Sequence, residues 1–213
     1  LTLVETADLA AVRGEHDTLP EALADDGWPT LGEVRGKVMF GLDNGGSVHN
    51  TYIAGRPAAE GRAMFPSAAS EGQPAAAFLK LNDPVGSASR IAAAVEDGYM
   101  VRTRADADSA PGTDFTDYPA KRDGVLATGA QFVSTDFPEV VPEFDEEYQV
   151  VFEDGARVRC NPVNGPDWCR TSDVEEPGRL GIEAPACDGN IRQTTPSNMS
   201  DMNTCLIEQL LLA

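Results

Sequence analysis

The sequence predicts an α/β fold built on parallel strands. Apolar segments that turn polar at their ends alternate with helix signals, and the last three start roughly 24 and 32 residues apart, a spacing that suits strand–helix–strand units. Capping residues and glycines punctuate the helical stretches between them. With 213 residues, 41% of them hydrophobic, the chain is long enough to bury a core in one domain, or one domain with a small appendage.

The elements follow in order. Thr18-Leu19-Pro20-Glu21 is a capping box with proline in the first turn, so a short helix runs to about Asp26 and stops at Gly27. Thr30-Leu31-Gly32-Glu33 repeats the box more weakly. Residues 37–44 are an apolar run closed by Asp43-Asn44, which reads as a buried strand with a polar tip. Residues 45–74 read as irregular, a loop long enough to suggest a function. A second strand covers 75–83 and stops at Pro84. Ser87 is placed to cap a helix carrying Ile91, Ala94 and Val95, closed by Gly98. Residues 99–106 are the third strand, 119–126 a short helix ending near Gly129, and 131–136 the fourth strand, closed by Pro138. Beyond Pro142 the pattern changes. Asp154-Gly155 between two strand-like runs signals a β-hairpin over 147–160. The expected division is 1–142 for the α/β part and 143–213 for a hairpin and cysteine-bearing extension, in which residues 205–210 read as a short helix.

Net charge is −19, which opposes binding to nucleic-acid phosphates and allows at most a transient encounter with an anionic membrane surface. No uncharged apolar run approaches the ~20 residues of a membrane helix. The chain begins at Leu1 without an initiator methionine, which reads as a mature product or an excised piece. Cys160, Cys169, Cys187 and Cys205 all fall in the extension. An even, clustered set reads as disulfides, with sequential pairing Cys160–Cys169 and Cys187–Cys205 preferred because each loop is local. Zinc is disfavoured by the absence of any C-x-x-C pair. Oxidised cysteines imply a secreted protein.

Arg102-Thr103-Arg104 is the sharpest chemical feature. Residues two apart on a strand share a face, so both guanidiniums point one way, a geometry suited to phosphate or a polyol. The competing reading is a structural network in which Asp106 and Asp108 neutralise them. Lys80 and Asn82 share a face on the preceding strand, and Asp43 tips the first. Asp136 is either a site residue or a turn former. Asp106-Ala107-Asp108 has no downstream glycine and glutamate of an EF-hand loop. A Gly-x-Ser-x-Gly elbow, a phosphate-binding Walker loop and His-Glu-x-x-His are all missing. The two histidines, His16 and His49, read as surface residues.

Several strings together resemble the secreted, calcium-dependent phosphoinositide-specific phospholipase C family of bacteria and fungi. They are Gly27-Trp28-Pro29-Thr30-Leu31, residues 35–44, Gly61-Arg62-Ala63-Met64-Phe65, residues 76–84, residues 98–108, residues 129–138 and Arg159-Cys160-Asn161-Pro162-Val163. The resemblance spans roughly residues 1–170. It implies half of a TIM-type (β/α)8 barrel, strands five to eight, and cleavage of the phosphodiester between diacylglycerol and phosphoinositol. It implies Ca2+, with its ligands and the catalytic histidine pair expected in a missing N-terminal half-barrel, so no catalytic residue is assigned here. Arg102, Arg104, Lys80, Asn82 and Asp43 would line the substrate mouth, Asp43 standing where related eukaryotic enzymes carry a basic residue. The chain would thus be inactive alone. Two alternatives remain at this point: a non-catalytic secreted binding module, and a fragment of a glycerophosphodiester phosphodiesterase.

Overall fold

A computed structural model describes residues 2–4 (backbone only), 16–29, 34, 37–106, 114–145, 147–152, 155–156 and 158–171. Within these the chain is a mixed α/β structure whose strands are all parallel to their neighbours. Strands β1 (Thr2–Val4), β2 (Lys37–Leu42) and β3 (Met64–Pro66) form one sheet in the order β1-β2-β3. Strands β4 (Phe78–Lys80), β5 (Met100–Arg104) and β6 (Phe132–Ser134) form a second, in the order β4-β5-β6.

Helices occupy the crossovers, as parallel pairing requires. Helix α1 (Leu19–Asp25) precedes β2, α2 (Gly46–Tyr52) precedes β3, α3 (Ala88–Glu96) precedes β5, and α4 (Tyr118–Ala127) precedes β6. The link from β3 to β4, residues 67–77, carries no helix, and it joins the two sheets.

The sequence signals act locally as expected at several ends. The Thr18 hydroxyl accepts from the Glu21 amide, and the Glu21 carboxylate accepts from the Thr18 amide, completing the capping box of α1. Helix α3 starts after Ser87 as expected, but its side chain makes no capping bond; the Ser87 carbonyl instead accepts from the Ile91 amide. The face of α3 carrying Ile91, Ala94 and Val95 is buried. It joins Leu19, Leu23, Trp28, Phe65, Leu79 and Val101 in the main core. Trp28 is fully buried yet satisfied, because its indole N–H donates to the Gly98 carbonyl at 2.9 Å.

Three expectations need correction. Residues 45–74 are not an irregular loop, because they hold α2 and β3. Both escape the sequence pattern because α2 opens on Gly45-Gly46 and buries no residue, so it has no apolar stripe, while β3 is three residues ending in proline. The strands form two sheets instead of one run of four. The hairpin over 147–160 does not form: residues 147–152 and 158–160 contain no strand. Their partners lie elsewhere. The Val150 amide donates to the Phe137 carbonyl, Arg122 donates to the Gln149 carbonyl, and Arg159 donates to the Leu126 carbonyl. Tyr148 is buried among Phe115, Phe137, Tyr118 and Phe144 in a second, aromatic cluster. Gly155 does turn the chain, at φ +72°, with its amide donating to the Phe152 carbonyl. Cys160 and Cys169 form a disulfide. The Cys187–Cys205 pair, the second capping box at 30–33 and the helix at 205–210 lie outside the described residues.

Candidate functional site

β4 and β5 carry most of the candidate residues, and their register decides how these meet. Lys80 is paired with Arg102, and β6 continues the rows with Arg102 opposite Phe132 and Arg104 opposite Ser134. Partners in register share a face of the sheet. Between them Leu79, Val101 and Thr103 are buried, at 1%, 0% and 0% exposure, and Leu79 and Val101 belong to the main core with α3. Lys80, Arg102 and Arg104 therefore occupy the opposite, more open face, each half-buried.

Three cations on one face repel unless something answers them. Lys80 reaches back to the end of β2, where its ammonium pairs with the Asp43 carboxylate and donates to the Asp43 carbonyl at 3.1 Å. Arg102 donates to the side-chain carbonyl of Asn82, two residues beyond Lys80. Among the described residues nothing answers Arg104. The hydrogen bond from Lys80 holds the Asp43 carboxyl below the usual carboxylate range; the slight burial opposes it, and the charges of Lys80 and Arg102 add to it. Asp43, Lys80, Asn82 and Arg102 thus form one electrostatic unit at the C-terminal ends of β2, β4 and β5, with Arg104 two residues further along β5.

The alternative network in which Asp106 neutralises the arginines does not form. Asp106 is buried, and its carboxylate accepts from the Thr135 hydroxyl, from the Asp136 amide at 2.7 Å and from the Tyr148 hydroxyl at 3.3 Å. Asp108 lies outside the described residues. Burial, and then the charge of Asp106, push the Tyr148 phenol well above its ordinary range. Asp136 is exposed and enters this network through its backbone alone. The Asp106–Thr135–Tyr148 cluster was not read from the sequence. The available signal was a carboxylate directly after a buried strand, where an acid needs donors.

The histidines stand apart from this unit. His16 bonds Asp26 at 2.9 Å and approaches Asp25 at 3.4 Å beside the end of α1. His49 lies on α2, with Nδ1 3.3 Å from the Asn50 side-chain oxygen. Among the described residues no grouping of three or more His, Cys, Asp or Glu is disposed to hold a metal ion, and the Asp106 carboxylate is already committed to three donors. These residues do not fit a calcium site.

A cavity of about 760 Å³ lies elsewhere, between β6 and the C-terminal segment, lined by Phe132, Ser134, Val150, Phe152 and Arg159 among others. None of the five candidate residues borders it. It runs beside the edge of β6 that faces away from β5, and its walls are largely apolar, so it lacks the convergent polar groups that orient a small ligand.

Comparison with known proteins gives one family. The family model described as Phosphoinositide phospholipase C, Ca2+-dependent, matches residues 5–162. No curated protein matches the chain, and no solved structure does.

Proposed function

This chain belongs to the Ca2+-dependent phosphoinositide phospholipase C family, and from that premise we propose that it is the substrate-gripping C-terminal half of a (β/α)8 barrel. The parent enzyme cleaves the phosphodiester between diacylglycerol and phosphoinositol. Parallel strands in sequential order within each sheet support the barrel reading. The observation that carries the site is the register of Lys80 with Arg102, which gathers basic side chains at the C-terminal ends of parallel strands, where such barrels hold their substrates. Arg102 and Arg104 would grip the phosphate, while Lys80, Asn82 and Asp43 would bond the hydroxyls of the ring.

On this reading the chain is inactive alone. Its two histidines fall in no family motif, and the described carboxylates do not fit calcium. Base, acid and metal ligands belong to a preceding half-barrel, the partner this chain requires. Secretion is part of the proposal, supported by the Cys160–Cys169 disulfide.

Calorimetric titration with inositol 1-phosphate tests the site. The wild-type chain binds and Arg102→Ala binds at least tenfold more weakly; equal affinity removes the assignment. Release of inositol phosphate from phosphatidylinositol by the purified 213-residue chain would refute the claim of inactivity.

A further inference from the structure

We propose that Asp43 is a specificity-determining residue that admits a hydroxyl-rich ring carrying a single phosphate and repels additional phosphates on that ring. The inference rests on the proposed site and deepens it.

The rim is not a uniform cationic patch. Lys80, Arg102 and Arg104 supply donors, while the Asp43 carboxylate and the Asn82 carbonyl supply acceptors between them. Alternating donors and acceptors match hydroxyl groups, each of which donates once and accepts as well. A polyphosphate would be served better by cations alone, because a phosphate oxygen only accepts. Asp43 also removes most of the charge Lys80 could offer to an anion.

A surface carboxylate would ordinarily swing away from an incoming phosphate. Asp43 is 76% exposed at its side chain, but Lys80 holds it twice, at the carboxylate and at its own carbonyl. Arg102 acts on it through space. A second phosphate entering beside Lys80 therefore meets a fixed negative charge. The exposure also leaves oxygen lone pairs free for ring hydroxyls.

The test titrates inositol 1-phosphate and inositol 1,4,5-trisphosphate into the full chain at one fixed salt concentration. Asp43→Asn keeps an oxygen acceptor and loses the charge. It should shift the affinity ratio toward the trisphosphate by about tenfold, as expected for one like charge a few ångströms away. Glu147→Gln removes the same charge from the exposed C-terminal segment and should leave the ratio unchanged. A ratio unmoved by Asp43→Asn, or moved equally by Glu147→Gln, overturns the inference while Arg102-dependent binding still upholds the site. Absence of binding by either ligand in every variant overturns the site and the inference together.

Discussion

Lys80 and Arg102 stand opposite each other on adjacent parallel strands, and each is bonded away from the other: Lys80 to Asp43 at the end of β2, Arg102 to Asn82 just beyond β4. Strand register thus decides which side chains are neighbours, and the polar ends of the strands decide how their charges are balanced. Asp43 spends its charge on Lys80, so Arg104 is the cation of this group that has no partner among the described residues. An anion entering the site meets that guanidinium first and Arg102 next.

Asn82 orients Arg102, and its removal should act on binding more than on folding. Asn82 is exposed, so Asn82→Ala should change stability by no more than about 0.5 kcal/mol. The freed guanidinium samples several rotamers and loses part of its grip, so affinity for inositol 1-phosphate should fall several-fold. Calorimetry beside a urea melt separates the two effects. A large stability loss with unchanged binding would give Asn82 a purely structural part.

Tyr148 should behave as an alkaline-sensitive strut. Its hydroxyl donates to buried Asp106, and its phenol is raised above the ordinary tyrosine range. A group raised in the folded state stabilises fully below its unfolded value, near 10, and loses that contribution as pH climbs toward the folded value. Tyr148→Phe should therefore cost about 1–2 kcal/mol at neutral pH, and the difference from wild type should shrink above roughly pH 10. Urea melts at pH 7 and pH 11 measure it. A constant difference would show that packing alone is lost.

The part of this fold that was legible in the sequence is the part written in local chemistry. The capping box at Thr18 and Glu21, the apolar stripe of α3 and the glycines after α1, α3 and α4 each leave a signature within a few residues. The two-residue period of Arg102 and Arg104 put both on one face. Pairing across strands leaves no such mark. Nothing near Asp43 says that Lys80, thirty-seven residues on, will bond it. The misread hairpin shows the converse: Asp154-Gly155 is a genuine turn signal at Gly155, but Tyr148 and Val150 find better partners in Phe115, Phe137 and Asp106 than in a second strand. α2 was hidden because a helix that buries no residue carries no periodicity to detect.

The pair Glu71–Arg90 ties the β3–β4 link to α3 and should give an acid-dependent increment of stability. Two parallel bonds of 2.6 Å join the guanidinium to the carboxylate. The bond from Arg90 holds the Glu71 carboxyl below the ordinary glutamate range, against some burial. A carboxyl lowered in the folded state contributes above its unfolded value and loses the contribution as pH falls through the folded one. Half of the arginine side chain is exposed, so screening limits the pair to about 0.5–1 kcal/mol. Glu71→Gln should be less stable than wild type by that amount at pH 7, and the two should converge by about pH 3. A gap that persists in acid would trace to packing of the link.

Gly129 is where helix α4, strand β6 and the disulfide loop come together, and it should tolerate no side chain. Its φ is +76°, a left-handed conformation that costs an ordinary residue about 1–2 kcal/mol. A Cβ there would also lie 2.5 Å from Cγ2 of Val163 and 2.7 Å from Oδ1 of Asn161. Asn161 cannot yield freely: its amide donates to the Gly129 carbonyl at 2.8 Å, its oxygen accepts from the Val163 amide, and the neighbouring Cys160 is bridged to Cys169. Gly55 separates the two costs, since its φ is +70° with nothing within 4 Å of an added Cβ. Gly55→Ala should therefore lose only the backbone part, about 1 kcal/mol. Gly129→Ala should lose about 2–4 kcal/mol, strain and overpacking together. Chemical denaturation of both variants decides the matter. Equal losses would mean that the Asn161–Val163 turn moves aside without cost and does not lock the end of α4 to β6.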